Sequence, residues 1–91
     1  MTEITLGIIG GGQLGSMMAT SAKKLKIKTI IFSDDDVAPG QMFCDEFIVG
    51  DYNDISKIKE FTNKVDLVTF EFENIPYDVL KKINEFKKVL P

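Results

Sequence analysis

A glycine-rich segment directly after a short apolar run constrains the fold more than any other feature of the chain. The run at residues 4–9 is rich in β-branched side chains, and Gly10, Gly12 and Gly15 follow it with the spacing G-x-G-x-x-G. Such a run predicts a buried parallel strand, and the glycines predict a loop that opens a helix. Unpaired N–H groups at the start of that helix would receive a phosphate-bearing ligand. The alternative is that the glycines serve only a tight turn.

The remainder of the chain alternates predicted strands and helices. Further strands are predicted at residues 28–33, 47–49 and 65–72, and helices at residues 13–25, 54–63 and from Pro76 to about residue 86. In the first helix one face carries the apolar residues Leu14, Met17, Met18, Ala22 and Leu25. Ala38-Pro39-Gly40 marks a loop, and there is room for one helical turn after it. This order predicts an α/β fold, a Rossmann-like open parallel sheet of about four strands with flanking helices and right-handed crossovers.

Residues 89–91 look like the beginning of a fifth strand. We therefore expect residues 1–91 to be an incomplete domain, truncated before its last strand and belonging to a longer protein. The length is compatible with one domain at most.

Composition excludes several classes of function. The net charge is −3 without a basic stretch, which argues against nucleic acid and anionic membrane surfaces as partners. No apolar run approaches the roughly 20 residues of a membrane span, and the acidic start does not resemble a secretory signal, so we expect a cytoplasmic protein. The chain has one cysteine, Cys44, and no histidine, which excludes a Ser-His-Asp triad within it and most zinc sites. We predict no metal site in this chain, and Cys44 as a small half-buried residue.

Acidic residues at predicted strand ends are the candidate ligands. Asp34 ends the second strand, where dinucleotide enzymes often place a ribose-binding acid, but three consecutive aspartates, Asp34-Asp35-Asp36, are more typical of a solvated turn. In the fourth strand Thr69, Glu71 and Glu73 alternate with apolar residues and face one way. Glu71 would then approach the Gly12 loop at the ligand-binding edge of the sheet, but taken alone the two glutamates are more typical of solvated charges.

Four segments together resemble a known family. They are residues 8–15 (IIGGGQLG), Ala38-Pro39, residues 50–54 (GDYND) and residues 69–76 (TFEFENIP), in this order. The chain resembles the N-terminal part of the 5-(carboxyamino)imidazole ribonucleotide synthases, the ATPase subunits of phosphoribosylaminoimidazole carboxylase. The resemblance covers essentially the whole chain, and the combination of the glycine loop with the glutamate strand is specific.

The resemblance implies the pre-ATP-grasp domain of an ATP-grasp ligase of purine biosynthesis. Such a ligase joins bicarbonate to 5-aminoimidazole ribonucleotide with ATP and magnesium, which downstream domains bind; it uses no NAD, and the family suggests a homodimer. Catalytic residues would lie outside this chain. The matching positions imply substrate binding by Gly11, Gly12, Gln13, Leu14, Glu71 and Glu73. The resemblance also demotes Asp34 as a ligand, and it departs at Ser16, where the family commonly has arginine. The alternative function is a stand-alone NAD(H)-binding regulatory module.

Overall fold

Four parallel strands form a single sheet in the computed structural model, which describes residues 4–71 and 75–90. The strands are β1 (Thr5–Ile9), β2 (Lys28–Ser33), β3 (Glu46–Val49) and β4 (Leu67–Phe70), and their order across the sheet is β3-β2-β1-β4. The helices are α1 (Gln13–Lys24), α2 (Ile55–Asn63) and α3 (Tyr77–Asn84), with a 3₁₀ turn at Pro39–Met42 between β2 and β3. The predicted α/β class and Rossmann-like parallel sheet are confirmed.

Helices cover both faces of the sheet. On one face the core is large and includes Ile9, Phe32 and Val68 of the sheet, Phe61 of α2 and Ile83 of α3. The opposite face carries a smaller cluster around Ile8, Ala19 and Ile31, where α1 packs on β1 and β2 and the 3₁₀ turn packs against α1. Strands that are buried on both sides explain why β1 and β2 are nearly continuous apolar runs.

Local signals in the sequence fix most of the element ends. The Asp54 carboxylate accepts hydrogen bonds from the N–H groups of Ser56 and Lys57, as expected for the residue that caps α2. Helix α1 ends at Lys24, one residue before the prediction, because Lys26 adopts a left-handed conformation with φ of 61°. The N–H of Ile27 then donates to the Ala22 carbonyl, which closes a Schellman motif. Strand β4 is shorter than predicted and ends at Phe70.

The predicted apolar residues of α1 do lie on one side of the helix, along one groove. The larger of them, however, do not form the closest contact between the helix and the sheet. The buried residues of α1 are small: Gly15, Ser16, Ala19 and Ala22. Leu14, Met17 and Leu25 are 40%, 57% and 72% exposed and border a groove instead. Close approach of the helix to β1 and to the glycine loop leaves no room for large side chains at the contact, which is the reason for the difference.

The segment after α3 pairs with β4 as the predicted start of a fifth strand would. Val89 forms a parallel bridge with Val68. The Val68 N–H donates to the Lys88 carbonyl at 3.2 Å, and the Leu90 N–H donates to the Val68 carbonyl at 2.7 Å. The bridge places this segment beyond β4, on the side away from β1. No helix within the described residues has the length and apolar character to cross a membrane.

Candidate functional site

The sheet has its topological switch point between β1 and β4. From β1 the chain moves outward through β2 to β3, and it then returns to place β4 on the other side of β1. Ile9 and Phe70 are paired in register, and the Glu71 N–H donates to the Ile9 carbonyl at 3.0 Å. The carboxyl ends of β1 and β4 therefore lie side by side, where ligands bind in open α/β sheets.

This register brings Glu71 onto the glycine loop, as the alternation of the strand predicted. Its Oε1 atom accepts a hydrogen bond from the Gly15 N–H at 2.7 Å, across 56 residues of sequence. Helix α1 has no acidic residue in its own first turn, and its N-cap, Gly12, has no side chain to accept a hydrogen bond. The half-buried Glu71 carboxylate thus supplies the negative charge that a helix N-terminus favours.

The three glycines of the motif surround this carboxylate. A Cβ atom at Gly10 would lie 2.5 Å from Glu71 Oε2, and Cβ atoms at Gly12 and Gly15 would lie 3.0 Å and 3.2 Å from Oε1. Gly10 also has φ of +102°, a conformation that side chains disfavour. The spacing of the glycines therefore gives the carboxylate room to reach the helix, in addition to making the turn.

The segment after β2 supports the loop from the other side. The Gly40 N–H donates to the Gly11 carbonyl at 2.7 Å, and a Cβ atom at Gly11 would lie 2.9 Å from the Ala38 Cβ atom. The sequence predicted a loop at Ala38-Pro39-Gly40 with room for one helical turn, which is present as the 3₁₀ turn, but it did not predict this supporting contact. The occurrence of Ala38-Pro39 among the family-like segments was the available signal.

Ser16 is buried and bonds within the site. Its hydroxyl donates to the Gly12 carbonyl at 2.8 Å, which is the common back-bond of a helical serine to the residue four positions earlier. In this chain the side chain at this position is therefore satisfied within the first turn of α1, and it places no charge near the loop. The hydroxyl chemistry of serine was the signal for this role, which our sequence interpretation did not use.

Gln13 and Leu14 are the first two residues of α1, and their side chains border different grooves on either side of the helix. Leu14 and Glu71 border an apolar groove of about 420 Å³ beside α1, whereas Gln13 borders a second groove of about 460 Å³ between α1 and the 3₁₀ turn. The backbone N–H groups of Gln13 and Leu14 have no acceptor within residues 4–71 and 75–90. The site thus brings together Gly11, Gly12, Gln13, Leu14 and Glu71, while the predicted ligand Glu73 lies outside the described residues.

Asp34 lies in a separate polar cleft. It lines this cleft with Asp51, Tyr52 and Asn53, and no residue of the glycine loop takes part. Burial raises the pKa of the Tyr52 phenol, and the nearby Asp34 carboxylate raises that pKa further. No hydrogen bond within the described residues joins Asp34 to the glycine loop, although the Asp34 and Glu71 carboxylates both raise the pKa of Tyr52.

The remaining candidate from composition is the single cysteine, Cys44. Cys44 is half-buried as predicted, and burial raises the pKa of its thiol, which disfavours the reactive thiolate. Across the described part of the chain no three His, Cys, Asp or Glu residues lie close enough to hold a metal ion.

Comparison with known proteins points in one direction. Residues 1–91 match the family model of the ribonucleotide synthetase preATP-grasp domain. N5-carboxyaminoimidazole ribonucleotide synthase of Staphylococcus epidermidis is 42% identical over 81 residues, which cover 89% of this chain and 22% of that protein. Related synthases of Staphylococcus aureus and Staphylococcus haemolyticus show the same identity.

Solved structures agree with the sequence relatives. N5-carboxyaminoimidazole synthetase of Staphylococcus aureus superposes with a TM-score of 0.85 at 38% identity, over 97% of this chain and 24% of that one. The Aspergillus clavatus synthase, solved with ADP and 5-aminoimidazole ribonucleotide, gives 0.79 at 26% identity, over 98% of this chain and 24% of that one. The chain thus spans about a quarter of the length of its relatives. From the match over its whole length, we conclude that it belongs to the ribonucleotide synthetase preATP-grasp domain family.

Proposed function

We propose that this chain is the N-terminal, substrate-side domain of an ATP-grasp ligase that carboxylates 5-aminoimidazole ribonucleotide with bicarbonate in purine biosynthesis. The observation that carries the proposal is the similarity of nearly the whole chain to synthases of this kind, one of which was solved with ADP and the ribonucleotide. ATP and magnesium bind to downstream domains, and the complete enzyme is a cytoplasmic homodimer. The fragment by itself has no catalytic residues, and it binds no NAD.

The proposed substrate contacts come from the loop and from the end of β4. Gly11, Gly12, Gln13 and Leu14 provide backbone groups, and Glu71 and Glu73 provide carboxylates. In support, the N–H groups of Gln13 and Leu14 are without acceptors in the described ranges. The Glu71 Oε1 atom is engaged by Gly15, so its Oε2 atom is the one that accepts a hydrogen bond from a ribose hydroxyl or an amine.

The proposal includes a domain that continues past this chain. Two observations support it: Val89 starts to pair beyond β4, and the groove bordered by Leu6, Leu14 and Leu25 is left open beside α1. Parallel sheets are normally covered on both faces, so this groove is where further protein would pack. A reading frame that runs on into an ATP-grasp domain would agree with this proposal, and one that stops after residue 91 would contradict it.

The activity is tested on the full-length gene product. We expect ADP formation only when bicarbonate and 5-aminoimidazole ribonucleotide are both present. ATP turnover that ignores either substrate would contradict the proposal.

The role of Glu71 is tested in the same enzyme. We expect Glu71→Gln to raise the KM for the ribonucleotide about ten- to a hundredfold and that for ATP far less, because a charge-assisted hydrogen bond is typically worth about 1.5–3 kcal/mol. Glu85→Gln removes the same charge from the exposed end of α3 and is the matched control. Equal KM values for the ribonucleotide in both variants would remove Glu71 from the ligand set.

A further inference from the structure

We infer that Glu71 is a specificity-determining residue: its carboxylate occupies the place at the N-terminus of α1 where dinucleotide-binding folds receive a pyrophosphate. The inference rests on the proposed function and extends it, because it names a class of ligand that this loop does not bind, namely the pyrophosphate of a dinucleotide. It also gives the glycine motif a second role. The motif predicted a site that receives a phosphate. In this chain an acidic side chain takes the Gly15 N–H of that site and the space beside Gly12, while the N–H groups of Gln13 and Leu14 have no acceptor in the described ranges.

The Glu71 carboxylate occupies part of the space that a pyrophosphate would need. In a dinucleotide fold, N–H groups at the start of the helix point at the pyrophosphate, and the second glycine lets the backbone approach it. Here the Gly15 N–H is already bonded to Glu71 Oε1 at 2.7 Å. The space next to Gly12 that a ligand would need is filled as well, because Oε1 lies 3.0 Å from where a Gly12 Cβ atom would be.

The negative charge of Glu71 also opposes a pyrophosphate at this position. A pyrophosphate at this position would sit against a carboxylate in a half-buried environment, where repulsion between like charges is less screened than in water. Of residues 4–71 and 75–90, no lysine lines the groove that Glu71 borders. A ligand that presents a hydroxyl or an amine to Glu71 meets an acceptor instead. The loop therefore selects the donor-bearing part of a nucleotide and rejects a phosphate chain.

The position of the Glu71 carboxylate is fixed by its main chain and by the glycines around it. The main chain of Glu71 is fixed by its hydrogen bond to the Ile9 carbonyl at 3.0 Å. Gly10 and Gly12 leave space for its side chain, and any Cβ atom at Gly10 would collide with it; at Gly15 a Cβ atom would first meet the Gly10 carbonyl oxygen and then Glu71 Oε1 at 3.2 Å. Three glycines around one carboxylate are a packing arrangement that a solvated surface charge would not require.

The test is binding of sodium pyrophosphate and of NAD to the full-length gene product with its ATP site saturated by ADP, measured by titration calorimetry for wild type, Glu71→Ala, Glu71→Gln and Glu85→Gln. Glu85→Gln removes one negative charge far from the loop and controls for net charge. We expect Glu71→Ala to bind pyrophosphate about ten- to a hundredfold more tightly than wild type, because the Gly15 N–H is freed and the repulsion is gone. Glu71→Gln should fall between the two, since its amide oxygen still accepts from Gly15, and Glu85→Gln should match wild type.

Amide NMR spectra of the same samples show whether each variant is folded. A folded Glu71→Ala variant with no gain in pyrophosphate affinity would overturn the inference, as would wild type that binds pyrophosphate as tightly as Glu71→Ala. If Glu71→Ala does not fold, the absence of any gain in Glu71→Gln overturns it. These outcomes are independent of the proposed carboxylation, which fails only if the full-length enzyme does not turn over its substrates.

Discussion

Substitution of Gly10 by alanine tests the arrangement of the loop around Glu71. The new Cβ atom would meet two costs: a backbone with φ of +102°, and a contact of 2.5 Å with Glu71 Oε2. A left-handed conformation costs a residue other than glycine about 1–2 kcal/mol, and overpacking costs about 1–3 kcal/mol. We therefore expect Gly10→Ala to lower the free energy of unfolding by about 2–5 kcal/mol. A domain of this size has roughly 5–14 kcal/mol in total, so the variant stays folded unless the wild type lies at the low end of that range.

A double-mutant cycle separates the two costs. In a Glu71→Ala background the collision is gone, and Gly10→Ala should cost only the backbone part of about 1–2 kcal/mol. The coupling free energy between the two positions is then about 1–3 kcal/mol, measured by urea unfolding of the four proteins. Gly50→Ala is the control for a tight contact alone, because its Cβ atom would lie 2.8 Å from the Lys57 Cγ atom at a backbone without a positive φ, and it should show no coupling with Glu71→Ala. A coupling of zero would refute the reasoning that the glycine accommodates the carboxylate.

Three further substitutions test the fold. Gly7→Ala should destabilise by about 1–3 kcal/mol in urea unfolding, because its Cβ atom would lie 2.6 Å from the buried Phe61 ring; no loss would contradict the packing of α2 on β1. Lys26→Gly should stabilise by about 1 kcal/mol, since glycine adopts the left-handed conformation freely, and a loss of stability would contradict the helix end described. Hydrogen bonding by Ser56 lowers the pKa of Asp54, so the charged cap stabilises the fold fully above the ordinary carboxyl pKa of about 3.9 and less as pH falls below it. The melting temperature of wild type minus that of Asp54→Asn should therefore be constant above this pH and shrink below it. A difference that does not vary with pH would contradict the cap.

Sequence alone predicted the parts of the fold that depend on local chemistry. The apolar run of β1, the cap at Asp54 and the alternation before Glu71 each follow from a short-range rule, and each is present in the structure. The approach of Glu71 to the loop also followed, because parallel strands with right-handed crossovers leave few places for β4.

The features that sequence reasoning missed depend on contacts between distant segments. The contact face of α1 is made of small residues, and a search for apolar periodicity gives weight to the large ones. The bond from Gly40 to Gly11 and the filling of the helix N-terminus by Glu71 each join residues about 30 to 60 positions apart. No local pattern shows that an anion-binding loop already holds an anion from its own chain.

The central claim is tested most directly by following carbon from bicarbonate into product. The full-length gene product would be given ¹³C-bicarbonate, ATP and 5-aminoimidazole ribonucleotide, and NMR would follow the labelled carbon while a coupled assay counts ADP. We predict one labelled carbamate carbon on the amine of the ribonucleotide for each ADP formed. ADP formation without a labelled carbamate, or no dependence of ADP formation on the ribonucleotide, would contradict the account.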